Sequence, residues 1–164
     1  MKPLILALAL IATPAAALAQ TPPPAPAAPA APAPPYGAPI GLEAAQALID
    51  RAVAAAEARG FRMAFAVVEP SGSLVAFGRM DDVQYGSIAV SQAKARSAAL
   101  FRGSTAAAEA RVLAGRTVSL AIEGLVPVAG GVPIVVDGRI VGAIGVSGAS
   151  SAQDDEIARA ALGE

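Results

Sequence analysis

An apolar hairpin threaded with glycines constrains this chain more than any other feature. Gly130-Gly131-Val132-Pro133-Ile134 leads through Asp137-Gly138 into Gly142-Ala143-Ile144-Gly145-Val146-Ser147-Gly148, and Gln153-Asp154-Asp155-Glu156 follows. Residues 132–136 and 140–146 read as strands joined at Asp137-Gly138, the dipeptide suited to a type I′ turn in which both central residues take positive φ. Gly142, Gly145 and Gly148 fall where a bare backbone lets a helix or a neighbouring subunit approach the strand. Ser150 or Ser151 then caps a last helix over residues 152–162, with Asp154 three positions after Ser151 as in a capping box.

The elements before this hairpin follow from periodicity. Over residues 42–59, Leu42, Ala45, Leu48, Ile49, Ala52, Val53 and Ala56 keep the helical repeat while Glu43, Gln46, Asp50 and Glu57 fall opposite, and Gly60 ends the helix. Residues 63–69 and 74–80 are two strands around Pro70-Ser71-Gly72-Ser73, where proline presets one turn torsion and glycine accepts the other. Residues 87–101 read as a second helix stopped by Gly103, and Ser104 or Thr105 caps a short third helix to about Val112. Residues 117–122 fit a strand or an irregular crossing. Hairpin-linked strands with helices before, between and after them predict an α+β domain, an antiparallel sheet covered by helices.

The N-terminal part reads differently. Met1-Lys2-Pro3, an apolar run to Ala12 and the small-residue site Ala17-Leu18-Ala19 have the form of a secretory signal peptide over residues 1–19, which predicts export to the periplasm or the extracellular space. That run is too short to span a bilayer, so no membrane insertion is expected. Residues 20–39 are rich in Ala and Pro, with nine prolines between Thr21 and Pro39. Such a segment reads as an extended linker without fixed structure, and the folded domain is expected over residues 40–164.

Composition removes whole classes of chemistry. Twelve basic residues, Lys2 of the leader among them, stand against thirteen acidic ones, so there is no cationic excess for nucleic acid. Histidine and cysteine are absent, which excludes disulfides, thiolate metal sites and imidazole bases. Gly145-Val146-Ser147-Gly148 lacks the spacing of a nucleophile elbow, and no histidine exists to complete a serine triad. The glycine series is not G-x-G-x-x-G either, and the acidic turn after it would repel a phosphate.

Six motifs in register carry a resemblance. Phe65-Ala66-Val67-Val68-Glu69-Pro70-Ser71-Gly72, Arg79-Met80-Asp81, Ala93-Lys94-Ala95, Gly130-Gly131-Val132-Pro133-Ile134, Gly142-Ala143-Ile144-Gly145-Val146-Ser147-Gly148 and Gln153-Asp154-Asp155-Glu156-Ile157-Ala158 resemble the GlcG/HbpS family of small haem-binding proteins, the haem-degrading domain group. The likeness implies a profilin-like fold, homo-oligomers of small subunits and, as in some members, haem or a related flat hydrophobic anion as ligand. Glu69 stands where the family usually has Asp. With no histidine, the remaining iron-ligand types are Met63, Met80, Tyr36 and Tyr85, with Lys94 a weaker donor.

The expected ligand-binding residues are Arg79, Met80, Tyr85, Lys94 and Arg96. Arg79 and Arg96 offer planar forks to carboxylates. Met80 follows Arg79 at a strand end, where sites gather. Tyr85 lies in a loop from which a phenol can ligate iron or stack on a flat ring. Lys94, the lysine that remains after the leader, faces either inward as an anion or carbonyl partner or outward on a solvated helix face. Met63 reads as core. Two other functions stay open: an enzyme of hydroxy-acid or haem metabolism using Lys94, Glu69 and Asp81, and a structural oligomer packed through alanine-rich helices.

Overall fold

A computed structural model describes residues 32–164. Residues 1–19, expected to be a signal peptide, and residues 20–31 of the expected linker lie outside the described residues. The elements run α1 (Leu42–Glu57), β1 (Ala64–Val68), β2 (Leu74–Arg79), α2 (Gly86–Leu100), α3 (Thr105–Leu113), a 3-10 turn at Thr117–Ala121, β3 (Gly131–Val136), β4 (Arg139–Ser147) and α4 (Ser151–Leu162). The strands form one antiparallel sheet in the order β2-β1-β4-β3. This is the profilin-like α+β architecture.

Both hairpins form as their turns require. Asp137 and Gly138 have φ of 50° and 71°, the pair of positive values that a type I′ turn needs. The first hairpin closes through the Glu69 amide donating to the Ser73 carbonyl, and the Ser71 hydroxyl donates to Glu69 Oε1 at 2.7 Å.

Strand alternation sorts side chains into two layers. Phe65 and Val67 of β1, Ile144 and Val146 of β4, and Val132 and Ile134 of β3 pack against Leu48 and Ile49 of α1 and Ile157 of α4. Met63 is fully buried in this same layer, as expected for core. On the other face Ala66, Val68 and Ala143 form a buried cluster with Ala95, Ala98 and Ala99 of α2. Helix α2 lies so close that a Cβ added to Gly145 would stand 2.5 Å from the Ala95 amide nitrogen, and one added to Gly131 would strike the Lys94 carbonyl.

Two open alternatives are decided and one expectation is corrected. Residues 117–122 form no strand. Their 3-10 turn is mostly exposed, and the irregular chain after it is pinned by side chains: the Val126 amide donates to Ser97 Oγ and the Ala129 amide to Glu109 Oε2. The cap of α4 is Ser150, paired reciprocally with Gln153, not Ser151 with Asp154. The last part of the supposed linker is also bound. Gly37 donates to the Ile140 carbonyl, Ile140 donates to the Pro35 carbonyl, and Ile40 donates to Val141, so this strap runs beside β4 past the end of β1. The Tyr36 hydroxyl donates to the Ala99 carbonyl at 3.0 Å, and Arg102 stacks over the Tyr36 ring. Among the described residues no helix is long and apolar enough to cross a membrane.

Candidate functional site

Lys94 points inward, but to a carboxylate of its own chain. Helix α2 delivers it to the start of β3, beside Gly130, whose carbonyl accepts from the Val146 amide. Its Nζ donates to Asp154 Oδ2 at 2.6 Å and to the Val146 carbonyl at 3.2 Å, with only 1% of the residue exposed. Asp154 Oδ1 accepts from the amides of Gly148 and Ala149, both at 3.0 Å. The pair therefore ties α2 to the β4–α4 turn across the end of the sheet, and both oxygens of the carboxylate accept hydrogen bonds. Gly130 allows this approach, because a Cβ there would lie 3.0 Å from Nζ. Of the two orientations open to Lys94 the inward one is found, but its anion is Asp154 of its own chain, and the side chain meets neither solvent nor an open cleft.

Around this pair the Gly130-Gly131 bend is held by further polar side chains. The Gly131 amide donates to Thr105 Oγ1 at 2.8 Å, and Glu109 Oε1 accepts from the Ser151 hydroxyl at 3.1 Å. Buried polar groups are costly unless paired, and here the pairing is nearly complete. This cluster is a structural knot closed to ligands from outside.

Arg79 and Met80 do come together. They line an open cleft of about 570 Å³ with Val53 and Glu57 of α1, Arg62, Gly78, Asp81 and Asp82. Met80 is half-buried against the α1 layer, and its amide continues the ladder by donating to the Met63 carbonyl. Arg79 stands opposite Ala64 at the exposed end of the edge strand. Among the described residues neither Arg62 nor Arg79 lies within 4 Å of a carboxylate, so both guanidinium forks keep donors for a ligand. Arg62 was missed in the sequence, because nothing local marks a residue between a helix and a strand as facing Met80's cleft.

The remaining expected residues lie elsewhere. Tyr85 is the residue before α2 and is 83% exposed, outside the lining of this cleft. Arg96 sits on α2 with its aliphatic stem over Gly72 in the first hairpin turn, on the other face of the sheet and at the other end of β2 from Arg79. Of the acid–base groups named for an enzyme, Lys94 is enclosed and Glu69 accepts from Ser71, which leaves Asp81 in the cleft. The guanidinium of Arg159 is held above its ordinary pKa, chiefly by its hydrogen bond to Asp155, but it lies on α4 and lines neither this cleft nor the Lys94 knot.

An antiparallel sheet layered by helices, with a cleft offering guanidinium and thioether groups at a strand end, defines the class as a small profilin-like α+β protein. Residues 40–163 match the family model described as "Haem degrading protein HbpS-like", and the chain belongs to that family. It is 42% identical over 103 residues to Protein GlcG of Escherichia coli K12, covering 63% of this chain and 77% of that one. A crystal structure of a double mutant of HbpS from Streptomyces reticuli superposes with a TM-score of 0.71 at 32% identity, covering 85% of this chain and 97% of the other. The crystal structure of a PduOC:heme complex gives 0.69 at 25% identity, covering 76% and 94%.

Proposed function

We propose that this protein binds haem or a related flat hydrophobic anion in the Arg79–Met80 cleft. The observation that carries the reading is the meeting of a half-buried thioether with two guanidinium groups that have no carboxylate partner among the described residues, in a cleft of about 570 Å³, within the usual size range of small-molecule sites. The donor set fits the group: Met80 would hold the iron, since thioether is an established haem ligand type, and Arg62 and Arg79 would hold the propionates. Glu57, Asp81 and Asp82 at the same cleft limit the affinity for a dianion and favour a ligand whose carboxylates sit against the two arginines. Bound haem would supply its own redox and oxygen chemistry. The HbpS-like family and the haem-bound relative support the assignment.

The test is haem titration of the protein followed by absorbance. A saturable Soret shift at micromolar haem is expected, weakened about tenfold or more in Arg79→Ala and altered in position in Met80→Ala. No saturation, or an unchanged spectrum in Met80→Ala, would overturn the assignment of this cleft.

We further propose that the protein works after export as a homo-oligomer. The signal-like residues 1–19 support the first part, and recovery of the protein with its N-terminal mass intact from the cytoplasm alone would refute it. For the second, Leu113, Val118, Leu120 and Ile122 stand 82%, 70%, 61% and 46% exposed on α3 and the turn after it, a concentration of apolar surface that suits a subunit seam. Leu120→Asp should shift sedimentation toward the monomer.

A further inference from the structure

A second groove, remote in its lining from the Arg79–Met80 cleft, has a different chemistry. Its floor is Gly41, the residue that caps α1, and the helical stripe Ala44, Ala47, Leu48 and Arg51. Its walls are Ile134, Val135 and Val136 of β3, Pro39 and Ile40 of the strap, Val141 and Leu162, and its volume is about 580 Å³. Ala44 and Ala47 are exposed and small, so the helix face is a trough and not a ridge. From Gly41 to Arg51 the stripe rises about 15 Å along the helix axis.

Arg51 is the only ionisable residue in that lining. Its Nε donates to the Ala161 carbonyl at 2.8 Å, which fixes the guanidinium at one end of the trough. Its two terminal nitrogens have no hydrogen-bond partner among the described residues. The groove is thus long, apolar along its length and cationic at one end, with no carboxylate in it.

We infer that this groove binds a single-chain amphiphilic carboxylate, its acyl chain along Ala44 and Ala47 and its carboxylate on Arg51. Charge complementarity selects this occupant: a planar fork with free donors takes a carboxylate in two parallel hydrogen bonds. A haem-like ligand fits less well, because the lining holds no iron donor and one cation for two propionates. A second copy adding a strand at β3 is opposed by Pro133, which removes an amide donor from that edge strand.

The experiment is calorimetric titration of the full chain with laurate below its micelle-forming concentration, and in parallel with dodecanol. The expected result is one laurate per chain, bound about tenfold or more tighter than dodecanol. Arg51→Gln should remove that preference while leaving dodecanol binding and the haem titration unchanged. Ala47→Trp, an exposed substitution that fills the trough, should abolish both alkyl ligands. The inference is overturned if laurate does not bind, if Arg51→Gln keeps the preference, or if Ala47→Trp changes sedimentation instead of laurate binding, the last marking the groove as a contact between copies. Because haem and laurate are read separately, failure here leaves the Arg79–Met80 assignment standing, and the reverse.

Discussion

On the α1 and α4 side of the sheet the core is made of Phe65, Val67, Ile134, Ile144, Val146 and Ile157, whereas on the α2 side it is made of alanines, Val68 and the bare backbones of Gly131 and Gly145. The first layer is held by apolar area removed from water, at about 25 cal/mol per Å². The second has little area to bury per residue and gains instead from close approach of helix and strand, where many weak dispersion contacts accumulate. That closeness lets a lysine on α2 reach a carboxylate beyond the sheet. A thick layer would have kept Lys94 and Asp154 apart.

The two layers should therefore fail in opposite ways. Phe65→Ala empties space on the α1 side and should cost about 3–5 kcal/mol of unfolding free energy in urea denaturation. On the α2 side the damaging change is addition. Gly145→Ala forces a methyl group against the Ser91 carbonyl and the Ala95 amide, backbone groups that cannot move aside singly, and should cost about 3 kcal/mol. If Gly145→Ala proved neutral, the close approach of α2 would be wrong and the contrast between layers would collapse.

Lys94 sharpens the same contrast, because it is the polar link between layers of different thickness. Lys94→Met leaves Asp154 buried without its cation and should destabilise by about 3–5 kcal/mol. Adding Asp154→Asn removes the stranded charge while keeping an oxygen for the Gly148 and Ala149 amides, so the double variant should be more stable than Lys94→Met alone. A double-mutant cycle with no coupling would show that the two side chains do not meet in solution.

Much of the fold was legible because its signals are local. Asp137-Gly138, the stripe of α1 and the Ser104 cap each announce an element within a few residues. What escaped depends on partners distant in the chain. The segment after Thr117 has no ladder of its own, and Ser97 and Glu109 replace one from 29 and 20 residues away. The strap at residues 35–40 hides in a composition that reads as linker, and only Tyr36 hints at an anchor. Lys94 stands out in the sequence, but its partner lies 60 residues on and reads locally as part of a capping box. Of the five expected ligand residues, only Arg79 and Met80 share a cleft, since which neighbours a strand end meets is decided by α1 packing across Gly78.

The smallest effect separates two devices that hold the β4–α4 turn from the two layers. The Ser150 hydroxyl accepts from the Gln153 amide, and Gln153 Oε1 accepts in return from the Ser150 amide, on the exposed side of the turn. Asp154 holds the adjacent amides of Gly148 and Ala149 from the buried side. Water can replace part of the exposed cap, so Ser150→Ala should cost about 1 kcal/mol in the same urea titration and leave the lysine coupling intact. Asp154→Asn should cost more and remove that coupling, because no water reaches the buried oxygen to replace Lys94. Equal costs for the two variants would mean that the turn is held by its cap alone, and that the thin α2 layer positions Lys94 without using it.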